Sequence, residues 1–148
     1  MNAPQHCLPT SEITDDMRLG IRLLAKLARV AEQACQSTGI SLPQYRLLAE
    51  IASGPRRASV LAARLAVSRP TLTSLVDGLE AAGYMVRVPV PTDRRGIELR
   101  PTDKGLAAVS HAEAALAQRM VGLTDRNQLA GVTNLARHMS SLLSQNAA

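Results

Sequence analysis

Two short stretches carry side chains whose types and spacing could do chemistry, and in both cases the chemistry is hydrogen bonding to a polyanion. Residues 68–74 run Ser-Arg-Pro-Thr-Leu-Thr-Ser and open a helix predicted to end at Gly83. A hydroxyl can bond a phosphate oxygen or a base edge. A threonine methyl can meet the methyl of thymine, and an arginine can reach a guanine edge or a phosphate. The second stretch is Pro91-Thr92-Asp93-Arg94-Arg95-Gly96. Its proline, aspartate and glycine favour a narrow turn, and an arginine at such a tip can enter a minor groove, where a duplex is most negative. Asp93 can hold the Arg95 guanidinium through a charge-assisted hydrogen bond. Each stretch also has a plainer reading. Ser and Thr cap surface helices generally, and a charged turn can be a solvated turn with an incidental ion pair. For the second stretch the polyanion reading gains from its place a short distance after the first.

The charge distribution agrees with this chemistry. The 148 residues carry a formal charge of +5. Residues 55–104 hold nine basic side chains (Arg56, Arg57, Arg64, Arg69, Arg87, Arg94, Arg95, Arg100, Lys104) and five acids (Asp77, Glu80, Asp93, Glu98, Asp103), a net of +4. The other residues hold eight basic and seven acidic side chains, a net of +1. One third of the chain therefore carries most of the excess, as in the footprint for a polyanion; chance clustering on a solvated face gives the same count.

Other chemistries find little support. Tyr45 and Tyr84 are the only aromatic residues, which speaks against stacking platforms for single-stranded nucleic acid and leaves the core to Leu, Ala, Val, Ile and Met. Cys7 and Cys35 are too few and too far apart for a disulfide framework or a zinc site. Cys35 falls on an apolar stripe and is expected to be a buried, inert thiol. Cys7 lies in a loose arm with only His6 beside it to lower its pKa. His6, His111 and His138 are isolated, so no metal sensor is expected. There is no Gly-rich phosphate loop, no G-x-S-x-G motif and no convincing acid/base pair, so an enzyme is not expected and no cofactor is implied. No run of 18 apolar residues occurs, and no basic segment followed by an apolar run opens the chain. The expectation is a cytoplasmic protein without a membrane partner.

The elements that would position the two stretches follow from capping and periodicity. Residues 1–12 form an arm without periodicity. Thr14 caps a helix with Asp15 and Asp16 in its first turn, running to about Ser37 with Gly39 as its stop. Its apolar residues form two stripes: Met17, Ile21, Leu24, Ala28, Ala31, Cys35, and Leu19, Leu23, Leu27, Val30, Ala34. A helix apolar on two sides needs two partners. Ser41-Leu42-Pro43-Gln44 is a capping box opening a helix with Tyr45, Leu48, Ile51 and Ala52, which ends near Gly54-Pro55. A short helix over about Ser59–Ala66 turns Leu61, Ala62 and Leu65 inward. After a tight break at Val67-Ser68, Ser68 caps the helix that carries the first stretch, with Leu72, Leu75, Val76 and Leu79 inward. The period then changes to two: Val86, Val88 and Val90, then Ile97-Glu98-Leu99-Arg100, form a two-stranded hairpin around the basic tip. Pro89 confines its strand to an edge or a bulge. Thr102 caps a helix to about Val121, ended by Gly122. Thr124 caps a last helix with Leu129, Val132, Leu135, Ala136, Met139, Leu142 and Leu143 on one face, which must pack on the first helix or on another copy. The fold class is mainly α with a small β-hairpin wing, a winged helix-turn-helix.

The run from Leu61 to Tyr84 resembles the core of MarR-family regulators, as do Pro91-Thr92-Asp93-Arg94-Arg95, Thr102-Asp103-Lys104-Gly105 and the opening Ser41-Leu42-Pro43-Gln44-Tyr45. The resemblance covers about residues 14–145 in order and spacing. It implies one domain over 13–148, with a winged lobe at about 41–101 and a helical dimerisation region from both chain ends, at about 13–38 and 102–146. It further implies a triangular homodimer whose two lobes straddle a pseudo-palindromic operator in double-stranded DNA. Such a protein is a sequence-specific transcriptional regulator, a repressor released by a small-molecule effector. In that frame Ser68, Arg69, Pro70, Thr71, Thr73 and Ser74 would lie at or near the major groove. Arg95 would be the wing arginine, Asp93 its support, and Arg94 would meet phosphate. The family often places Arg at the positions of Ser74 and Gly78. Both are missing here, so phosphate contact from this helix is expected to be weaker, or to be supplied by Arg56, Arg57, Arg64 and Arg87. Members commonly release DNA when a small aromatic or phenolic ligand binds between dimer core and lobe, or when a cysteine is oxidised. The missing arginines keep a second class open: a dimeric protein-interaction module of the same fold with weak or no DNA binding.

Overall fold

The computed structural model describes residues 12–54, 56–90, 93–122, 131 and 133–141. Five helices and a three-stranded sheet follow in the order α1 (Asp15–Gln36), α2 (Leu42–Ala52), β1 (Arg56–Arg57), α3 (Ala58–Leu65), α4 (Arg69–Ala81), β2 (Met85–Val90), β3 (Asp93–Pro101) and α5 (Asp103–Val121), with further helix over 133–141.

The helix starts form where side-chain oxygens can satisfy the amides left over at a first turn. Thr14 Oγ1 accepts from Met17 N at 3.2 Å. At α2, Ser41 Oγ accepts from Gln44 N (3.3 Å) while Gln44 Oε1 accepts from Ser41 N (2.8 Å), the reciprocal pair expected from the sequence. Ser68 and Thr102 cap α4 and α5 in the same way. α3 differs: it begins at Ala58, one residue before the expected Ser59, and its cap residue Arg57 makes no side-chain capping bond. The break between α3 and α4 is set by Ala66, whose φ of 53° is left-handed, with Val67 N bonded back to Ala62 O at 3.1 Å.

The sheet corrects the two-stranded expectation. Its order is β1-β3-β2, all antiparallel, because Arg56 and Arg57 pair with Leu99 and Glu98. A two-residue strand has no period to read, so the sequence pattern could not show it. β2 is an edge strand whose register shifts between Pro89 and Val90, which is where a residue without an amide donor is tolerated.

One apolar core joins these elements. Leu47, Leu48 and Ile51 of α2, Leu61 of α3, Leu79 of α4, Met85 of β2 and Leu99 of β3 are all buried. Leu65, Leu72 and Val76 complete it; Leu75, expected inward, is half-buried at its margin. Cys35 is fully buried, and burial, with Glu32 adding to it, pushes its thiol above the ordinary range. A protonated, enclosed thiol is a poor nucleophile, as the sequence reading expected. α1 contributes only Ala34 and Cys35 to the interior. Leu19 (68% exposed), Ile21, Leu23 and Leu24 (62%) face out, as do Leu135 and Met139 of the last helix. Thr124, Leu129, Val132, Leu142 and Leu143 of the expected last helix, and the arm with His6 and Cys7, lie outside the described residues.

The corner between α4, β2 and α5 is held by backbone contact. Thr102 Oγ1 donates to Gly83 O (2.7 Å), Thr102 N to Tyr84 O (3.0 Å), and Lys104 Nζ to Ala82 O (2.7 Å). The Lys104 ammonium also sits 4.6 Å from the centre of the Tyr84 ring. Gly105 lies so close that a Cβ there would come 2.0 Å from Tyr84 O. Thr102-Asp103-Lys104-Gly105 is thus a structural device that seats α5 on the end of the winged lobe. Gly105→Ala is expected to destabilise the protein by about 1–3 kcal/mol, as overpacking does. Gly78→Ala, in an exposed helix interior with open space for its methyl, should stabilise it by about 0.8–1 kcal/mol. Urea unfolding of both variants at one protein concentration checks the pair; equal stabilities would contradict the packing described.

Candidate nucleic-acid interface

α4 is two-faced. Leu72, Val76 and Leu79 lock one side into the core, so the opposite side of its first turns is turned out by necessity. Ser68, Arg69, Pro70, Thr71, Thr73 and Ser74 are all exposed and share this outward end. The hydroxyls are partly committed. Ser68 Oγ accepts from Thr71 N at 3.2 Å and lies 2.8 Å from Thr71 Oγ1. Thr73 Oγ1 donates to Arg69 O at 3.0 Å. These bonds order the hydroxyls on the helix surface while leaving lone pairs outward. The helix N-terminus adds a partial positive charge, which favours phosphate.

The basic side chains divide into groups. Arg69 has no acidic partner among the described residues. Glu50 of α2 gathers two others: its Oε1 pairs with Arg64 and lies 3.7 Å from Arg56 Nε. Arg87 of β2 forks onto two carboxylates of α4, Asp77 and Glu80. Its hydrogen bond to Asp77 holds the Arg87 guanidinium above its ordinary pKa, against a smaller opposing effect of burial. Arg100 pairs with Glu98 at 3.2 Å, and Lys104 is engaged at the corner. Three of the four expected phosphate contacts, Arg56, Arg64 and Arg87, are therefore ion-paired within the chain. Sequence reasoning missed Glu50 altogether, because the pairing spans elements whose juxtaposition only the fold creates. The fourth, Arg57, is an exposed residue of β1.

The expected wing is a strand pair whose first ladder partners are Val90 and Asp93. Pro91 and Thr92, and the side chains of Asp93, Arg94 and Arg95, lie outside the described residues, and with them the expected Asp93–Arg95 ion pair. Among the described residues no three His, Cys, Asp or Glu side chains gather where they could hold a metal, and no helix is long and apolar enough to cross a membrane.

Residues 38–96, which contain α4 and β2, match the family model described as MarR family. The chain is 41% identical over 46 residues to the HTH-type transcriptional regulator PecS of Dickeya dadantii, covering 31% of this chain and 28% of that protein. It is 32% identical over 94 residues to a putative transcriptional regulatory protein for the hcr operon of Thauera aromatica, covering 63% and 57%. The matches thus span well under two thirds of these curated relatives. Among solved structures, a MarR-family transcriptional regulator from Rhodococcus sp. RHA1 superposes with a TM-score of 0.76 at 21% identity, over 92% of this chain and 96% of that one. The transcriptional repressor CouR bound to a 23-mer DNA duplex gives 0.70 at 23% identity, over 86% and 92%. CouR from Rhodococcus jostii RHA1 bound to p-coumaroyl-CoA gives 0.73 at 21% identity, over 87% and 92%. At these identities the likeness is one of fold.

Ser68 has two separable jobs on this surface, capping α4 and facing outward. Ser68→Ala is expected to lower stability by about 1 kcal/mol, the usual loss for a removed cap. Ser68→Asp should keep the cap and the stability. Thermal unfolding distinguishes them, and an aspartate variant no more stable than the alanine one would contradict the capping role.

Proposed function

We infer, from a chain whose residues 38–96 match the MarR family model and whose fold resembles that of a solved MarR-family regulator, that the protein is a transcriptional regulator binding double-stranded DNA as a homodimer. The observation that carries this reading is the outward end of α4. A helix anchored by Leu72, Val76 and Leu79 presents Ser68, Arg69, Pro70, Thr71, Thr73 and Ser74 together, in the manner of a recognition helix whose N-terminal residues enter a major groove. Arg95 reads the adjacent minor groove with Asp93 supporting it, and Arg94 meets phosphate. Arg57 contacts backbone phosphates, and Arg56 and Arg64 join it by exchanging Glu50 for phosphate.

The exposed apolar faces of α1 and of residues 133–141 support the dimer. Leu19, Ile21, Leu23, Leu24, Leu135 and Met139 are large apolar side chains exposed to water, and clustered exposure of this kind marks surfaces that meet another protein. A second copy covering it would set two lobes on the halves of a pseudo-palindromic operator. Binding represses transcription, and a small aromatic or phenolic effector releases it; the DNA-bound and p-coumaroyl-CoA-bound forms of CouR support control of this kind.

The ion-paired state of Arg56, Arg64 and Arg87, with serine and glycine at 74 and 78, favours one other reading: a dimeric protein-interaction module of the same fold. Fluorescence anisotropy on a duplex from upstream of the chain's own gene separates the two. The regulator reading expects salt-sensitive binding with two chains per site. Arg95→Ala should weaken it by roughly 1–3 kcal/mol. Salt-insensitive or absent binding by the unaltered chain would favour the module, and unchanged affinity of Arg95→Ala would reject the wing assignment.

A further inference from the structure

The Arg87–Asp77–Glu80 cluster is more than a neutralised cation. β2 is an edge strand, paired with β3 alone. Its attachment to α4 at the near end is apolar and backbone-made: Met85 is buried, and Tyr84 N bonds to Leu79 O at 2.9 Å. Beyond Met85 the strand leaves the core, with Val86, Arg87 and Pro89 exposed and Val88 and Val90 half-buried. The β2–β3 pair is also seated through β3, whose buried Leu99 lies opposite Arg87 and pairs with β1 on its other side. Against α4 itself, however, β2 has only this near-end attachment, which leaves the angle between strand and helix free. Arg87, two residues on, supplies the second point. Its two terminal nitrogens reach Asp77 and Glu80, residues one turn apart on the same face of α4. A planar guanidinium gripped by two carboxylates resists rotation as well as separation.

We propose that Arg87 is a positioning residue: its forked grip on Asp77 and Glu80 sets the angle between the wing and α4, so that the wing tip and the outward end of α4 meet adjacent grooves of one duplex. The proposal deepens the DNA-binding reading above and rests on it. Stability is not the reason for the cluster. The three side chains are 36% (Arg87), 59% (Asp77) and 36% (Glu80) exposed, and ion pairs this open to water contribute little to stability. Direct phosphate binding does not explain it either, since one guanidinium between two carboxylates leaves a net negative charge. The cluster also sits on the later turns of α4, beyond the Ser68–Ser74 end.

The signs of three variants test the assignment on the duplex from upstream of the gene, with a scrambled duplex of the same length as reference. A phosphate ligand held back by competing acids would behave one way: Asp77→Asn with Glu80→Gln would tighten binding, and Arg87→Ala would lower the salt dependence by about one phosphate. A positioning clamp behaves otherwise. Arg87→Ala and the Asp77→Asn/Glu80→Gln pair should each weaken binding to the upstream duplex roughly tenfold, and combining all three should add little, as for members of one network. The salt slope should stay that of the unaltered chain, binding to the scrambled duplex should hardly change, and Arg87→Lys, which cannot fork, should rescue only part of the loss. Tighter binding by the acid-neutralised pair overturns the proposal, as does an Arg87→Ala chain of unchanged affinity. If Arg87→Ala does not fold, the Asp77→Asn/Glu80→Gln pair carries the decision alone. An unaltered chain that binds no duplex overturns the parent reading and this one together, whereas a binding chain indifferent to these substitutions overturns this one only.

Discussion

Everything functional in this molecule depends on how firmly α4 is held from behind. Leu72, Val76 and Leu79 meet Leu48, Leu61, Met85 and Leu99 in a single core, and that contact decides which residues of α4 water sees. Rotate the helix by one residue, about 100°, and the hydroxyls of Ser68, Thr71 and Thr73 swing away from their common outward end while apolar side chains surface. The exposure of this end is therefore a by-product of packing. Its Ser68, Thr71 and Thr73 hydroxyls bond within the helix while their side chains face solvent.

The charges follow the same division of labour. Four acidic side chains among the described residues of the lobe are placed against arginines: Glu50 against Arg56 and Arg64, Asp77 and Glu80 against Arg87, Glu98 against Arg100. Arg69, beside the helix terminus at the start of α4, has no acidic partner among the described residues. A chain with modest net charge can in this way still present a local field suited to a polyanion. The Thr102–Gly105 corner completes the frame. It ties the end of the lobe to the start of α5 through Thr102, Lys104 and the close approach of Gly105 to Tyr84 O.

Much of this was legible in the sequence because it obeys local rules. The capping box at Ser41–Gln44, the caps at Thr14, Ser68 and Thr102, and the stop at Gly122 each rest on partners within four residues along the chain, and the structure has all of them. The inward positions of α4 were legible from period, apart from Leu75, which falls at the edge of the buried stripe. What escaped was non-local. β1 is two residues long and exists only because β3 passes beside it. Glu50 is an unremarkable glutamate until α2, β1 and α3 converge. Arg87 looked like one more cation of a basic segment, and its grip on α4 depends on a turn at Gly83 bringing residues 7 and 10 positions apart into contact. The Thr102-Asp103-Lys104-Gly105 run is visible in the sequence as a pattern, but its reason, the closeness of Gly105 to Tyr84 O, is a property of packing alone.

The central claim is that a duplex meets the outward end of α4 and the strands beside it. Mapping amide chemical-shift changes by NMR as the upstream duplex is added tests this most directly. The account predicts the largest shifts at residues 69–74 and along β2 and β3, with α1 and residues 133–141 little affected. Shifts confined to α1 or to the last helix, with 69–74 unmoved, would contradict it.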